Sequence, residues 1–179
     1  MRTFVAVFPP PEIQEALVKA ARALPTDAFR LTAPARVHLT LKFLGGVSPE
    51  DVPRATSALG RIGQRGEPFD ATISGFGAFP SAHRARILWA GIGQGAEGFR
   101  ALSRAVDDLL EAEGFAREDK PFVPHLTLGR ARRPVLFDPG EATPPRLGFS
   151  VGALDLVESR QGASGVTYPV LERYPLGRR

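Results

Sequence analysis

The chain has 179 residues, 43% hydrophobic and 23% charged, with no cysteine and a net charge of +4. This balance describes an ordinary folded, soluble chain rather than a disordered one, and the missing thiols exclude disulfides, thiolate metal sites and cysteine nucleophiles. Lysine occurs only at positions 19, 42 and 120, so arginine supplies the other 20 of 23 cations; that suits bidentate phosphate recognition but equally suits GC-rich coding, and names no partner.

The length allows one domain, or two small lobes sharing a cleft. No apolar run approaches the ~20 residues of a membrane helix. The opening MRTFVAVFPPP is too short and proline-broken for a signal peptide, so a cytoplasmic location is expected. Thr3–Phe8 reads as a buried strand, ended by Pro9-Pro10-Pro11. A helix opens at Glu12, with Ile13, Ala16, Leu17, Ala20 and Ala21 at helical spacing, and stops near Leu24-Pro25. Residues 26–36 read as a loop. Val37–Leu44 is a strand, and Gly45-Gly46 turns the chain. Ser48 caps a second helix with Pro49 at its first position, running to about Ile62.

Phe69–Phe79 reads as a strand bent at Gly75 and Gly77. A loop with His83 leads to an apolar strand, Ala85–Ile92, which holds the lone Trp89. A helix is expected over about 96–113, with Phe99, Leu102, Val106, Leu109 and Leu110 on one face and Gly114 as its stop. Lys120-Pro121-Phe122-Val123-Pro124 delivers a strand from His125, followed by Arg130, Arg132 and Arg133. A Pro/Gly-rich connection (134–145) precedes strands over about 146–158 and 166–174, with a hairpin-type turn at 161–165.

Within this order one phrase recurs. His38-Leu39-Thr40-Leu41 returns 87 positions later as His125-Leu126-Thr127-Leu128. In a strand, alternate side chains share a face. Each copy therefore sends its leucines to a core and its histidine and threonine to the other side, with the hydroxyl ~6.6 Å along from the ring. A strand, a helix and a loop precede both copies, which suggests two related lobes, each giving one motif strand to a common cleft. Two of the three histidines occupy the same place in the same tetrapeptide, which packing alone explains poorly. Histidine is the side chain best suited to exchange protons near neutral pH. One ring can take a proton while the other gives one, and Thr40 and Thr127 can bond the nonbridging oxygens of a phosphate between them. A zinc site is the main rival, but a third ligand is lacking beside either motif, and His83 stands among arginines. No GxSxG is present for a serine hydrolase.

These residues resemble the 2H phosphoesterases, defined by two HxTx motifs, and more narrowly the RNA 2′,3′-cyclic phosphodiesterases historically called 2′-5′ RNA ligases. The likeness rests on Val37–Gly45, Ile87-Leu88-Trp89, Pro124–Arg130, Leu156–Ser159 and the tyrosine-rich ending around Tyr168 and Tyr174. One departure is Ala35-Arg36, where relatives often carry Glu-Asn. The resemblance implies an α+β, bilobal fold: two pseudo-symmetric lobes of antiparallel sheet plus helices around a central cleft, formed by residues 1–179 as one domain. It implies a metal-free reaction with no cofactor, in which His38 is proton donor and His125 proton acceptor, Thr40 and Thr127 hold the phosphate, and Arg130 contacts it, with a general salt-bridge role as the other option for Arg130. A 2′,3′-cyclic phosphate end would become a 2′-phosphomonoester, and the reverse reaction would join it to a 5′-hydroxyl. Partners are then RNA ends or nucleotide 2′,3′-cyclic phosphates, with no membrane and a monomeric enzyme. Alternatives are a phosphodiesterase of small cyclic nucleotides or ADP-ribose cyclic phosphate, and a non-catalytic RNA-end-binding protein. Lys42 shares parity with His38 and Thr40 and is placed at the cleft mouth or on a solvated strand end. Phe43 has the opposite parity and is placed in the core, with base stacking as the other option. Trp89 and Phe122 are read as packing residues, and His83 as a surface loop residue.

Overall fold

The structure, a computed structural model, describes residues 1–25, 27–140, 142–163 and 165–177. Its elements are β1 (Arg2–Val7), α1 (Pro11–Arg22), β2 (Phe29–Leu31), β3 (Leu39–Gly46), α2 (Val52–Arg65), β4 (Phe69–Phe79), β5 (Ala85–Ile92) and α3 (Ala96–Ala112), then β6 (His125–Val135), β7 (Gly148–Val151), β8 (Ala153–Glu158), β9 (Arg160–Gly162), β10 (Gly165–Thr167) and β11 (Val170–Pro175). Two antiparallel sheets carry the molecule, in the orders β11-β8-β1-β3 and β2-β6-β5-β4-β7. The expected α+β architecture is what forms. In each sheet a strand (β1 or β5) leads through a helix (α1 or α3) to an antiparallel partner (β3 or β6) that bears one copy of the repeated phrase. Both sheets turn their leucine faces into one continuous core, where Leu39, Leu41, Leu126 and Leu128 are all buried with Leu17, Leu59, Phe99 and Leu110 from the helices. Burying each such side chain is worth about 1.5–3 kcal/mol. Among the described residues, no helix is long and apolar enough to cross a membrane.

Several local expectations are corrected. The stretch 26–36 holds a short strand, β2, and a 3₁₀ turn at Pro34–Arg36; three residues are too few for any alternation to show. Gly45-Gly46 does not end β3, because both residues pair with β1 (opposite Thr3 and Arg2). Ser48 does accept the Asp51 N–H at 3.2 Å, but it caps a turn ahead of α2, which starts at Val52 and runs on to Arg65. β6 continues to Val135, into the expected connection. The expected strand over 146–158 is two strands: β7 pairs with β4 and β8 with β1, so the chain steps from one sheet to the other at Gly152. The expected strand over 166–174 likewise divides into β10 and β11. The turn expected at 161–165 includes Ser164, outside the described residues. Gly77 does have a positional reason: it sits opposite Trp89, whose ring lies 2.2 Å from where a Cβ would be, so only glycine admits it.

Candidate active site

The two repeated phrases face one cleft of about 1050 Å³, lined by His38, Thr40, Phe43, His125, Thr127 and Arg130 among others. Each histidine is held in the same way. Nδ1 of His38 lies 2.7 Å from the Arg36 carbonyl, and Nδ1 of His125 lies 2.7 Å from the Val123 carbonyl. A carbonyl only accepts, so each Nδ1 carries the hydrogen and donates it. In both neutral rings the lone pair is thereby assigned to Nε2. The departure at Ala35-Arg36 leaves this bond intact, since its acceptor is main chain. The Arg36 guanidinium instead donates to the Val166 carbonyl at 3.0 Å, which ties β10 to the His38 approach. Among the described residues, neither threonine hydroxyl is taken up by a protein hydrogen bond, so both remain available to a ligand.

The rings lie against aromatic surroundings. His38 packs against Phe4, Tyr168 and Phe8 at centroid separations of 5.0, 5.1 and 5.2 Å. His125 packs against Phe79 at 4.9 Å and Trp89 at 6.2 Å. The packing role read for Trp89 is what the structure shows, and its neighbours include His125 itself. Phe122 is partly buried against the core and also lines the cleft. Burial pushes His38 down to about 4, opposed by the Arg36 carbonyl and assisted by the positive charges of Arg130 and His125. Burial likewise lowers His125, opposed by the Val123 carbonyl and assisted by Arg130. Both rings are therefore neutral near pH 7.

Three side chains depend on a feature the sequence hid. On β3, Thr40 lies opposite Ala6 and Lys42 opposite Val5, so Leu41 is an extra residue; on β6, Thr127 lies opposite Trp89 and Gly129 opposite Leu88, so Leu128 is extra. Each phrase thus ends in a β-bulge, which reverses the parity of the residues beyond it. Phe43 and Arg130, each five residues after its histidine, both turn onto the cleft face. Phe43 is not a core residue: it is 64% exposed. Lys42 turns the other way, is 3% exposed, ion-pairs with Asp107 of α3 and donates to the Ala116 carbonyl at 2.6 Å. It is not on a solvated end; it lines the far wall of the same cleft, beside Asp107. Strict alternation from His125 would send Arg130 to the core; the bulge returns it to the histidines. His83 lies exposed in a 3₁₀ turn, outside the cleft lining. Among the described residues, no three His, Asp or Glu side chains gather as metal ligands.

Comparison with known proteins gives the same picture. The model of the 2′-5′ RNA ligase superfamily matches residues 9–163. An RNA 2′,3′-cyclic phosphodiesterase of Thermus thermophilus is 36% identical over 187 residues, covering 98% of this chain and 90% of that protein. The RNA 2′,3′-cyclic phosphodiesterase of Escherichia coli is 31% identical, covering 98% and 96%. The crystal structure of E. coli LigT complexed with 3′-AMP superposes with a TM-score of 0.84 at 30% identity, covering 99% of this chain and 98% of that one.

Proposed function

The chain belongs to the 2′-5′ RNA ligase superfamily, and on that footing we propose that it is an RNA 2′,3′-cyclic phosphodiesterase whose two motif histidines act as acid and base with no metal. The observation that carries the mechanism is the doubled carbonyl lock. It leaves a free Nε2 on each ring, facing one cleft from two sides. His125 Nε2 accepts a proton from water as the water oxygen bonds to phosphorus. The P–O3′ bond breaks, and O3′ takes its proton from Nε2 of protonated His38. The phosphate remains on O2′. With a 5′-hydroxyl in place of water, the same steps in the same direction form a 2′-5′ linkage, and their reversal cleaves it.

The low affinity of His38 for a proton sets a condition on this cycle. A donor must be charged when substrate is bound, and burial opposes that charge. The substrate's own anionic phosphate supplies the compensation, so proton and phosphate bind cooperatively. Once charged, a ring whose ordinary tendency is to be neutral is a strong acid toward the leaving oxygen. Thr40 and Thr127 donate hydrogen bonds to the nonbridging oxygens as negative charge builds on them, and Arg130 adds its positive charge. Both halves of the site come from one chain of residues 1–179, which supports a monomeric, one-domain enzyme, and the expected place of action is the cytoplasm.

The test is turnover of RNA bearing a 2′,3′-cyclic phosphate in the presence of EDTA, with the product position read by phosphorus NMR. The expected product is the 2′-phosphate, and His125→Ala is expected to lose about 10²- to 10⁴-fold in kcat. A metal requirement, a 3′-phosphate product or a fully active His125→Ala protein would overturn the reading.

A further inference from the structure

Cations on this molecule are unevenly neutralised. Along α3 and the loop after it, Arg100 and Arg104 reach Glu97, and Arg117 reaches Asp107, Asp108 and Glu111. The cleft wall on that side is also acidic, with Asp107 and Glu118. On the opposite side, β2 and β6 carry Arg30, Arg130 and Arg132, all exposed and none ion-paired among the described residues.

Arg30 and Arg130 stand directly opposite each other across the β2–β6 pair. Residues so placed have Cβ atoms about 4.5–5.5 Å apart, and like charges there repel. Two residues further along β6, Arg132 is exposed as well, and its carbonyl accepts from the Arg86 guanidinium at 3.0 Å. Arg130 lines the cleft, whereas Arg30 lies one strand further out, beyond the lining residues. The fold thus keeps an uncompensated row of guanidinium groups leading from the two histidines over the lip of the cleft. An occupant that relieves the repulsion must bring negative charge repeatedly and be continuous with a phosphate already in the cleft. The strand that carries the reacting phosphate does both.

We propose that Arg30 and Arg132 form a phosphate-binding strip outside the cleft that holds the backbone of the RNA leading to the cyclic end. This rests on the reading of RNA 2′,3′-cyclic ends as substrate, and it makes the β2–β6 side, rather than the α3 side, the path of the RNA. Neither residue touches the reacting phosphate, so the strip contributes to binding and leaves the chemical step unchanged.

The experiment compares Arg30→Gln, Arg132→Gln and the unaltered full-length chain on two substrates: 2′,3′-cyclic AMP, and a pentaribonucleotide ending in a 2′,3′-cyclic phosphate. For the pentanucleotide, each substitution is expected to raise KM about fivefold, roughly 1 kcal/mol, at constant kcat. It is also expected to flatten the dependence of log KM on log salt by about 0.7 per lost contact. Kinetics on 2′,3′-cyclic AMP are expected to be unchanged, which also shows that the variants fold. If pentanucleotide KM and salt slope are unaffected, or if both substrates suffer equally, the strip is refuted while the enzymatic reading stands. If the unaltered chain turns over neither substrate, the enzymatic reading falls and the strip with it.

Discussion

Acid should weaken this fold through one identifiable ring. Burial lowers His38 from 6.5 to about 4 in the folded chain, whereas the unfolded chain keeps the ordinary value. Below the unfolded value, the unfolded chain therefore binds the proton that the folded chain declines. The contribution of the neutral ring is fully present above pH 6.5 and drains away as pH falls toward 4, where both states are charged. At 1.36 kcal/mol per pH unit, the loss across that window is about 3 kcal/mol, a large share of an ordinary stability of 5–15 kcal/mol. The assay is urea unfolding at intervals from pH 8 to pH 4, on the native chain and on His38→Asn. The asparagine amide keeps a donor for the Arg36 carbonyl but cannot titrate. His125 is lowered as well, but it is present in both proteins and cancels from the difference. The variant is expected to lose markedly less stability on acidification. Parallel curves for the two proteins would refute the reasoning, because they would mean that the proton is not excluded from the folded ring. Inorganic phosphate should reduce the acid loss of the native chain, since it favours charged His38.

The same geometry sets three other outcomes. Replacing Thr40 or Thr127 by valine removes a free hydroxyl while keeping its shape, and each is expected to cost about a hundredfold in kcat with little effect on the melting temperature. Arg130→Gln removes a charge that holds both rings down; the acid limb of the kcat/KM profile should move to higher pH while KM rises, and an unmoved limb would show that Arg130 acts by contact alone. Lys42→Met leaves Asp107 only Arg117 and the Glu118 N–H as partners and should destabilise the chain by about 2 kcal/mol in denaturant. Lys42→Met with Asp107→Leu should recover most of that loss, unless the pair matters for more than its own charge balance.

Much of the site is legible in the sequence because two copies of a phrase with period two leave little freedom. Leucines at the second and fourth places must share a face, so the histidine and threonine must share the other. Parity misleads at the next step, at Lys42, Phe43 and Arg130. A bulge is decided by how a strand fits its partner, and nothing in His-Leu-Thr-Leu announces that the last leucine will be the extra residue. The second copy holds the clue that could expose it: position +5 from each histidine is Phe43 in one lobe and Arg130 in the other, and one explanation serves both. The short strand β2 is invisible for want of length. The division at Gly152 is invisible because the strands on either side are each apolar enough to be read as one. The carbonyl locks leave no trace in side-chain types at all.

Those locks bear on how such a site can drift over generations. The groups that fix both rings are peptide oxygens, present whatever amino acid stands at 36 or 123. Substitution there cannot delete the acceptor; only a change in the course of the backbone can. Selection is thus relieved of guarding two positions that a side-chain acceptor would have frozen, and lineages are free to use them for other contacts, as this chain does where Arg36 reaches across to Val166. A search that looks for orienting residues beside the histidines will pass over molecules of this kind, because half of the proton-handling apparatus is written in atoms that every residue shares.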